Sequence, residues 1–111
     1  MSPLRIAAGA LAVAALTACA AGLPEPTEAH VSAAKAEDPS ATLEDLSRGR
    51  ASYTAKCGGC HALRDPVSLS PSEWRHEVDE MQTKQGVRLT PQETKDILRY
   101  LDAATRVANN R

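Results

Sequence analysis

Apolar and polar positions divide this 111-residue chain into stretches of different rhythm. Ile6 to Leu16 is an unbroken apolar or small-residue run preceded by Arg5. Eleven residues fall short of the roughly 20 that a helix needs to cross a bilayer. Residues 20–41 show no apolar period; they hold Pro24, Pro26 and Pro39, many alanines and scattered charge. That composition predicts a disordered, flexible tether. From residue 42 a helical period begins. Leu43, Leu46, Arg50, Tyr53 and Cys57 recur three and four positions apart, which predicts a helix. Glu44 and Asp45 suit the positive end of its dipole. Gly49 lies beside this stripe at a cost of about 1 kcal/mol relative to alanine. Ser70-Pro71-Ser72-Glu73 is a helix start, with Ser70 as N-cap, Pro71 at the first helical position and Glu73 closing a capping box. The helix is predicted to reach Gln85, with Gly86 as the stop. Thr90-Pro91-Gln92-Glu93 repeats the signal, and a last helix runs to about Arg106 with Ile97, Leu98, Leu101 and Ala104 or Thr105 on one face. No strand signal occurs, so the chain reads as all-α.

The chemistry lies where the first of these helices ends. Cys57-Gly58-Gly59-Cys60-His61 places two thiols three positions apart with a histidine directly after the second. This is the pattern of a c-type haem attachment site: each thiol adds across one vinyl group of the porphyrin, and the imidazole lies under the iron. Glycines at 58 and 59 let the backbone turn tightly enough for both sulfurs to face one ring edge. Zinc would need three or four protein ligands. The remaining candidates, His30, His76 and Cys19, lie in the linker, on a helix and in the leader. A thioredoxin-like dithiol needs a preceding strand and a βαβ context, and no strand precedes the motif.

Charge and cysteine usage narrow the setting. The whole chain carries net charge −1, residues 42–111 carry +1, and no basic patch suited to nucleic acid is visible. The aromatics are Tyr53, Trp74 and Tyr100 alone. A domain of about 70 residues is near the lower limit for burying enough apolar surface, and a covalently held porphyrin would supply core. Residues 1–18 read as an export signal. Leu16-Thr17-Ala18-Cys19 resembles the bacterial lipobox, which implies cleavage before Cys19 and a lipid on its thiol. The expected organisation is a signal peptide over 1–18, a lipidated Cys19 with a tether over 19–41, and a haem domain over 42–111. The expected location is the periplasmic side of a membrane.

Together these motifs, with Pro71-Ser72-Glu73-Trp74, Met81, Gly86-Val87 and Tyr100-Leu101, resemble a small monohaem class I cytochrome c over about residues 42–106. The chain is similar to cytochrome subunits or partners of periplasmic dehydrogenases. The resemblance implies an all-α fold with N- and C-terminal helices crossing beside one covalently bound haem c. It places Gly49 and Tyr53 at that crossing, against Ile97 and Tyr100. It also implies that the Pro66 carbonyl accepts the ring N–H of His61. Redox partners, a dehydrogenase or a terminal oxidase, follow from the same likeness. The rival readings are a fixed subunit of a dehydrogenase complex and a haem sensor or small peroxidase with an exchangeable distal site.

For an electron carrier, histidine–methionine ligation raises the reduction potential. Beyond the leader, Met81 is the only methionine. Trp74, Val78 and Met81 at i, i+4 and i+7 share one helix face. His76 lies about 140° around the helix from Met81, so the two cannot both face the iron. Trp74 is expected to pack on the haem edge with its indole N–H toward a propionate, and Arg64 to neutralise a propionate. No catalytic acid, base or nucleophile is required.

Overall fold

The computed structural model describes residues 23–58 and 62–110. Among them are four helices, α1 (Glu28–Lys35), α2 (Leu43–Cys57), α3 (Pro71–Thr83) and α4 (Pro91–Asn109), with a 3₁₀ turn at Pro66–Ser68 and no strand. The all-α expectation holds.

Three helices begin as the sequence predicts. Thr42, Ser70 and Thr90 each accept a hydrogen bond from the backbone N–H three residues on, while Asp45, Glu73 and Glu93 reach back to the cap's own N–H. These reciprocal bonds satisfy donors that a helix end otherwise leaves open. α3 ends at Thr83, two residues before the expected Gln85, and Gly86 then takes φ +69°, a conformation that glycine adopts without penalty. α4 runs three residues past the expected Arg106.

The principal contact is the crossing of α2 and α4. A Cβ at Gly49 would stand 2.0 Å from the Asp96 carbonyl oxygen and 2.9 Å from Tyr100 Cβ. Only glycine lets the two backbones approach this closely, which explains the helix propensity given up there. Beside the crossing, Tyr53, Trp74, Val78, Ile97, Tyr100 and Leu101 form one buried cluster. A polar lattice locks the other side. Asp96, 2% exposed, accepts from Arg48 Nε at 3.2 Å and Gln92 Nε2 at 2.9 Å, and Arg99 bridges to Asp38 and Asp45.

The tether reading fails for residues 23–41. Residues 28–35 form α1, whose Val31 and Ala34 make a second core cluster with Ala41, Leu46 and Ala103. His30, read as a solvated linker residue, is 4% exposed. It occupies the third helical position and closes the cap on Thr27, whose hydroxyl lies 2.8 Å from His30 Nδ1. Ion pairs fasten the segment to the helices beneath it: Glu25 to Arg50, Glu37 to Arg106 and Asp38 to Arg99. An eight-residue helix is marginal alone; tertiary contact makes it. The folded domain therefore begins no later than Leu23, not at residue 42.

Candidate haem-binding site

α2 ends at Cys57, and this end forms the described part of the site. The apolar period that buries Leu46 and Tyr53 carries Cys57 against the main cluster, where Leu63, Leu69, Leu89 and Leu98 also pack half-buried. Burial pushes the Cys57 thiol above its ordinary value by disfavouring the thiolate. Gly58 caps the helix with its N–H on the Thr54 carbonyl, and a Cβ there would stand 2.6 Å from that oxygen. A side chain at 58 would force the chain away as it leaves the helix. Gly59, Cys60 and His61 lie outside the described residues, as do the export signal and Cys19.

The loop carrying the motif is pinned where it re-enters the fold. Tyr53 donates its hydroxyl proton to the Arg64 carbonyl at 2.7 Å. Two residues on, the Pro66 carbonyl accepts from Trp74 Nε1 at 2.7 Å and from Thr105 Oγ1 at 2.9 Å. The Thr105 hydroxyl also lies 3.0 Å from the Leu101 carbonyl, and its single proton goes to one of the two. The buried indole N–H of Trp74 serves Pro66 where a propionate was expected, and the expected bond from the ring of His61 to Pro66 falls on a residue outside the described ones. Trp74 is 3% exposed and meets Tyr53 edge to face, with ring centroids 5.8 Å apart, so its packing partner among the described residues is an aromatic ring. Thr105 belonged to the predicted apolar face of α4; its hydroxyl role needed the position of Pro66, which sequence spacing does not give.

α3 arranges the two rival ligands as its periodicity requires. Trp74 and Val78 are buried and Met81 is half-buried. The chain turns back at Gly86, where Val87 N–H donates to the Met81 carbonyl at 3.0 Å. His76 has its side chain 74% exposed, with Nε2 3.6 Å from Glu80. Arg64 is 56% exposed and 3.8 Å from Glu77, a loose surface pair that leaves the guanidinium largely in water.

These features suit a covalently attached haem. The donor set is two thiols and an imidazole, the first thiol lies among apolar side chains, and the turn that follows it excludes a Cβ. Cys57 and Cys60 would hold the ring, with His61 on the iron. Residues 53–111 match the family described as Dihaem cytochrome c. No curated protein and no solved structure matches the chain. The matched span covers more than half of the sequence, including the whole attachment motif, α3 and α4, so the chain belongs to the dihaem cytochrome c family.

Proposed function

We propose that this chain is a monohaem c-type cytochrome that carries electrons, with His61 and Met81 as axial ligands, lipid-anchored through Cys19 on the periplasmic side of a membrane. The observation that carries the reading is the family match joined to a single Cys-x-x-Cys-His in a chain of three cysteines. The family's description names two haems, and the single Cys57–Cys60 pair of this sequence supports the reading of one haem for this chain. A bound haem supplies a one-electron ferric–ferrous couple, and a methionine ligand raises its potential.

The protein's own residues hold and shield that group. Tyr53, Trp74 and Thr105 fix the two carbonyls at the end of the motif loop, and a pinned loop limits movement of the ligands between oxidation states. Met81 is favoured over His76 because it lies half-buried on the face of α3 shared with Trp74 and Val78, whereas His76 points to water. No described helix is long and apolar enough to cross a membrane; the attachment this reading proposes is the lipid on Cys19. Redox proteins at the membrane, a dehydrogenase or a terminal oxidase, are the partners this reading implies.

Three measurements test it. The ferric protein should show the methionine-to-iron charge-transfer band, and Met81→Ala should abolish it while His76→Ala leaves it intact. Survival of the band in Met81→Ala overturns the ligand assignment. Intact mass and haem quantitation should give one haem per chain; two would overturn the monohaem count. Rapid binding of carbon monoxide by the untreated ferrous protein would instead favour a sensor or peroxidase with an open distal site.

A further inference from the structure

We propose that the acylated domain is held directly against the bilayer, with residues 23–26 and the part of α2 and α4 beneath them next to the lipid headgroups, instead of ranging on a long tether. The proposal rests on the lipidation of Cys19 proposed above.

The argument begins with reach. If residues 20–41 were a flexible linker, the domain could range roughly 70 Å from its anchor. The fold removes nearly all of that length, because order begins by Leu23. From Cys19 to Leu23 there are four Cα-to-Cα steps, which span at most about 14 Å in any conformation. The lipid-bearing residue sits at headgroup level, so Leu23 cannot stand farther than that from it.

The second part is how firmly Leu23 belongs to the domain. Its side chain packs on the main cluster. The Pro24 carbonyl accepts from the Tyr100 hydroxyl at 2.8 Å. Glu25 pairs with Arg50 at 3.0 Å, and Arg50 also donates to the Leu23 carbonyl at 3.4 Å. Beyond these, α1 is buried against α2 and α4. Recruiting residues 23–41 into the tether would strip Tyr100 of its acceptor and expose Leu23, Val31 and Ala34. Arg50 and Cys57 stand seven residues apart on one face of α2, about 10 Å along the axis. The anchored segment thus meets the helix within two turns of the haem attachment point. Electron exchange is then confined to partners lying in or along the same membrane.

Haem absorbs where suitable headgroup fluorophores emit, so quenching of a headgroup-labelled lipid reports the haem-to-bilayer distance. The acylated holoprotein in vesicles is compared with a variant carrying a 40-residue Gly/Ser insertion between Gly22 and Leu23, which adds a root-mean-square span of about 35 Å. A second variant, Arg50→Gln with Tyr100→Phe, loosens residues 23–26 without adding chain and leaves α1 packed. At equal bound protein, quenching should be several-fold stronger for the native chain than for the insertion variant, and the release variant should fall toward the latter. Equal quenching by the native and insertion chains, with Cys19 shown by mass to be acylated, overturns the apposition. An unmodified Cys19 overturns the lipid reading itself and the apposition with it. Amide exchange across residues 31–37 reports the pinning separately: strong protection is expected, and free exchange would overturn this part of the argument.

Discussion

Gly49→Ala is the sharpest perturbation this fold permits, because two effects of opposite sign compete at one methyl group. In an exposed helix the change would stabilise by about 1 kcal/mol. Here the new Cβ would lie 2.0 Å from the Asp96 carbonyl oxygen. An unstrained carbon–oxygen contact needs about 3.3 Å, so α2 and α4 must separate by roughly 1.3 Å. A gap of 0.5–1 Å already forfeits about a quarter to a half of the dispersion contact across an interface. Leu46, Tyr53, Ile97 and Tyr100 are fully or almost fully buried at or beside the crossing, each contributing roughly 1.5–3 kcal/mol. Losing that fraction of their contact costs about 2–4 kcal/mol. After the propensity gain, the net destabilisation is about 1–3 kcal/mol, within the range seen for overpacked cores. For a domain of this size the melting temperature should fall by roughly 5–20 °C. The assay is urea unfolding of the holoprotein followed by far-ultraviolet circular dichroism, with an unchanged slope required for the comparison. Ala51→Gly, on the exposed side of the same helix, serves as control and should lose only about 1 kcal/mol. If Gly49→Ala proves neutral or stabilising, the close crossing is wrong.

The Pro66 carbonyl predicts non-additivity. Trp74→Phe and Thr105→Val should each cost about 1–2 kcal/mol while the other donor remains, and the double variant should exceed the sum by about 1 kcal/mol because a buried acceptor is then orphaned; strict additivity in a double-mutant cycle would refute the shared acceptor. Arg99→Leu should destabilise by about 3 kcal/mol, since Arg99, itself nearly buried, faces Asp38, Asp45 and Asp96 and its loss leaves Asp96 short of positive charge; a loss below about 0.5 kcal/mol in denaturant titration would show the lattice to be energetically idle. On the alkaline side, burial pushes the Tyr100 hydroxyl up to about 12 from its ordinary 10. Folding therefore favours the protonated phenol, and this contribution is complete below pH 10 and lost as pH rises through about 12. Tyr100→Phe should flatten that part of the stability profile, and an unchanged profile counts against the assignment. On the acid side, burial opposes ionisation of Asp45, but bonds from the Thr42 amide and hydroxyl, with Arg48 and Arg99 nearby, outweigh it and hold the carboxyl below its usual value. Its contribution is present above the ordinary carboxylate range and lost as pH falls through the depressed value. Asp45→Asn should weaken that acid dependence in the same titrations.

The sequence by itself determined the elements whose signals are local. Cys57, Cys60 and His61 announce their chemistry by adjacency. Ser70-Pro71 and Thr90-Pro91 announce helix starts, because a cap needs only residues three apart. The opposition of Met81 and His76 on α3 follows from helix geometry alone. Gly49 was legible as an anomaly, and the resemblance to class I cytochromes c placed it at a helix crossing. Tertiary structure decided what depends on residues distant in the chain. α1 is invisible to periodicity because it is short, closes its Thr27 cap with His30 in place of a carboxylate, and is held with the residues after it by Leu46, Ala103, Arg99 and Arg106 from other helices. The partners of Pro66 depend on Trp74 and Thr105 arriving from α3 and α4, and a carbonyl's acceptor capacity can be counted only when its neighbours are known. The position of Leu23 was likewise a tertiary matter. A cysteine four residues away reads as the start of a long tether until Tyr100 and Arg50 are seen to hold Leu23, Pro24 and Glu25, because the reach of a chain is set by where it is fastened as much as by how many residues it contains.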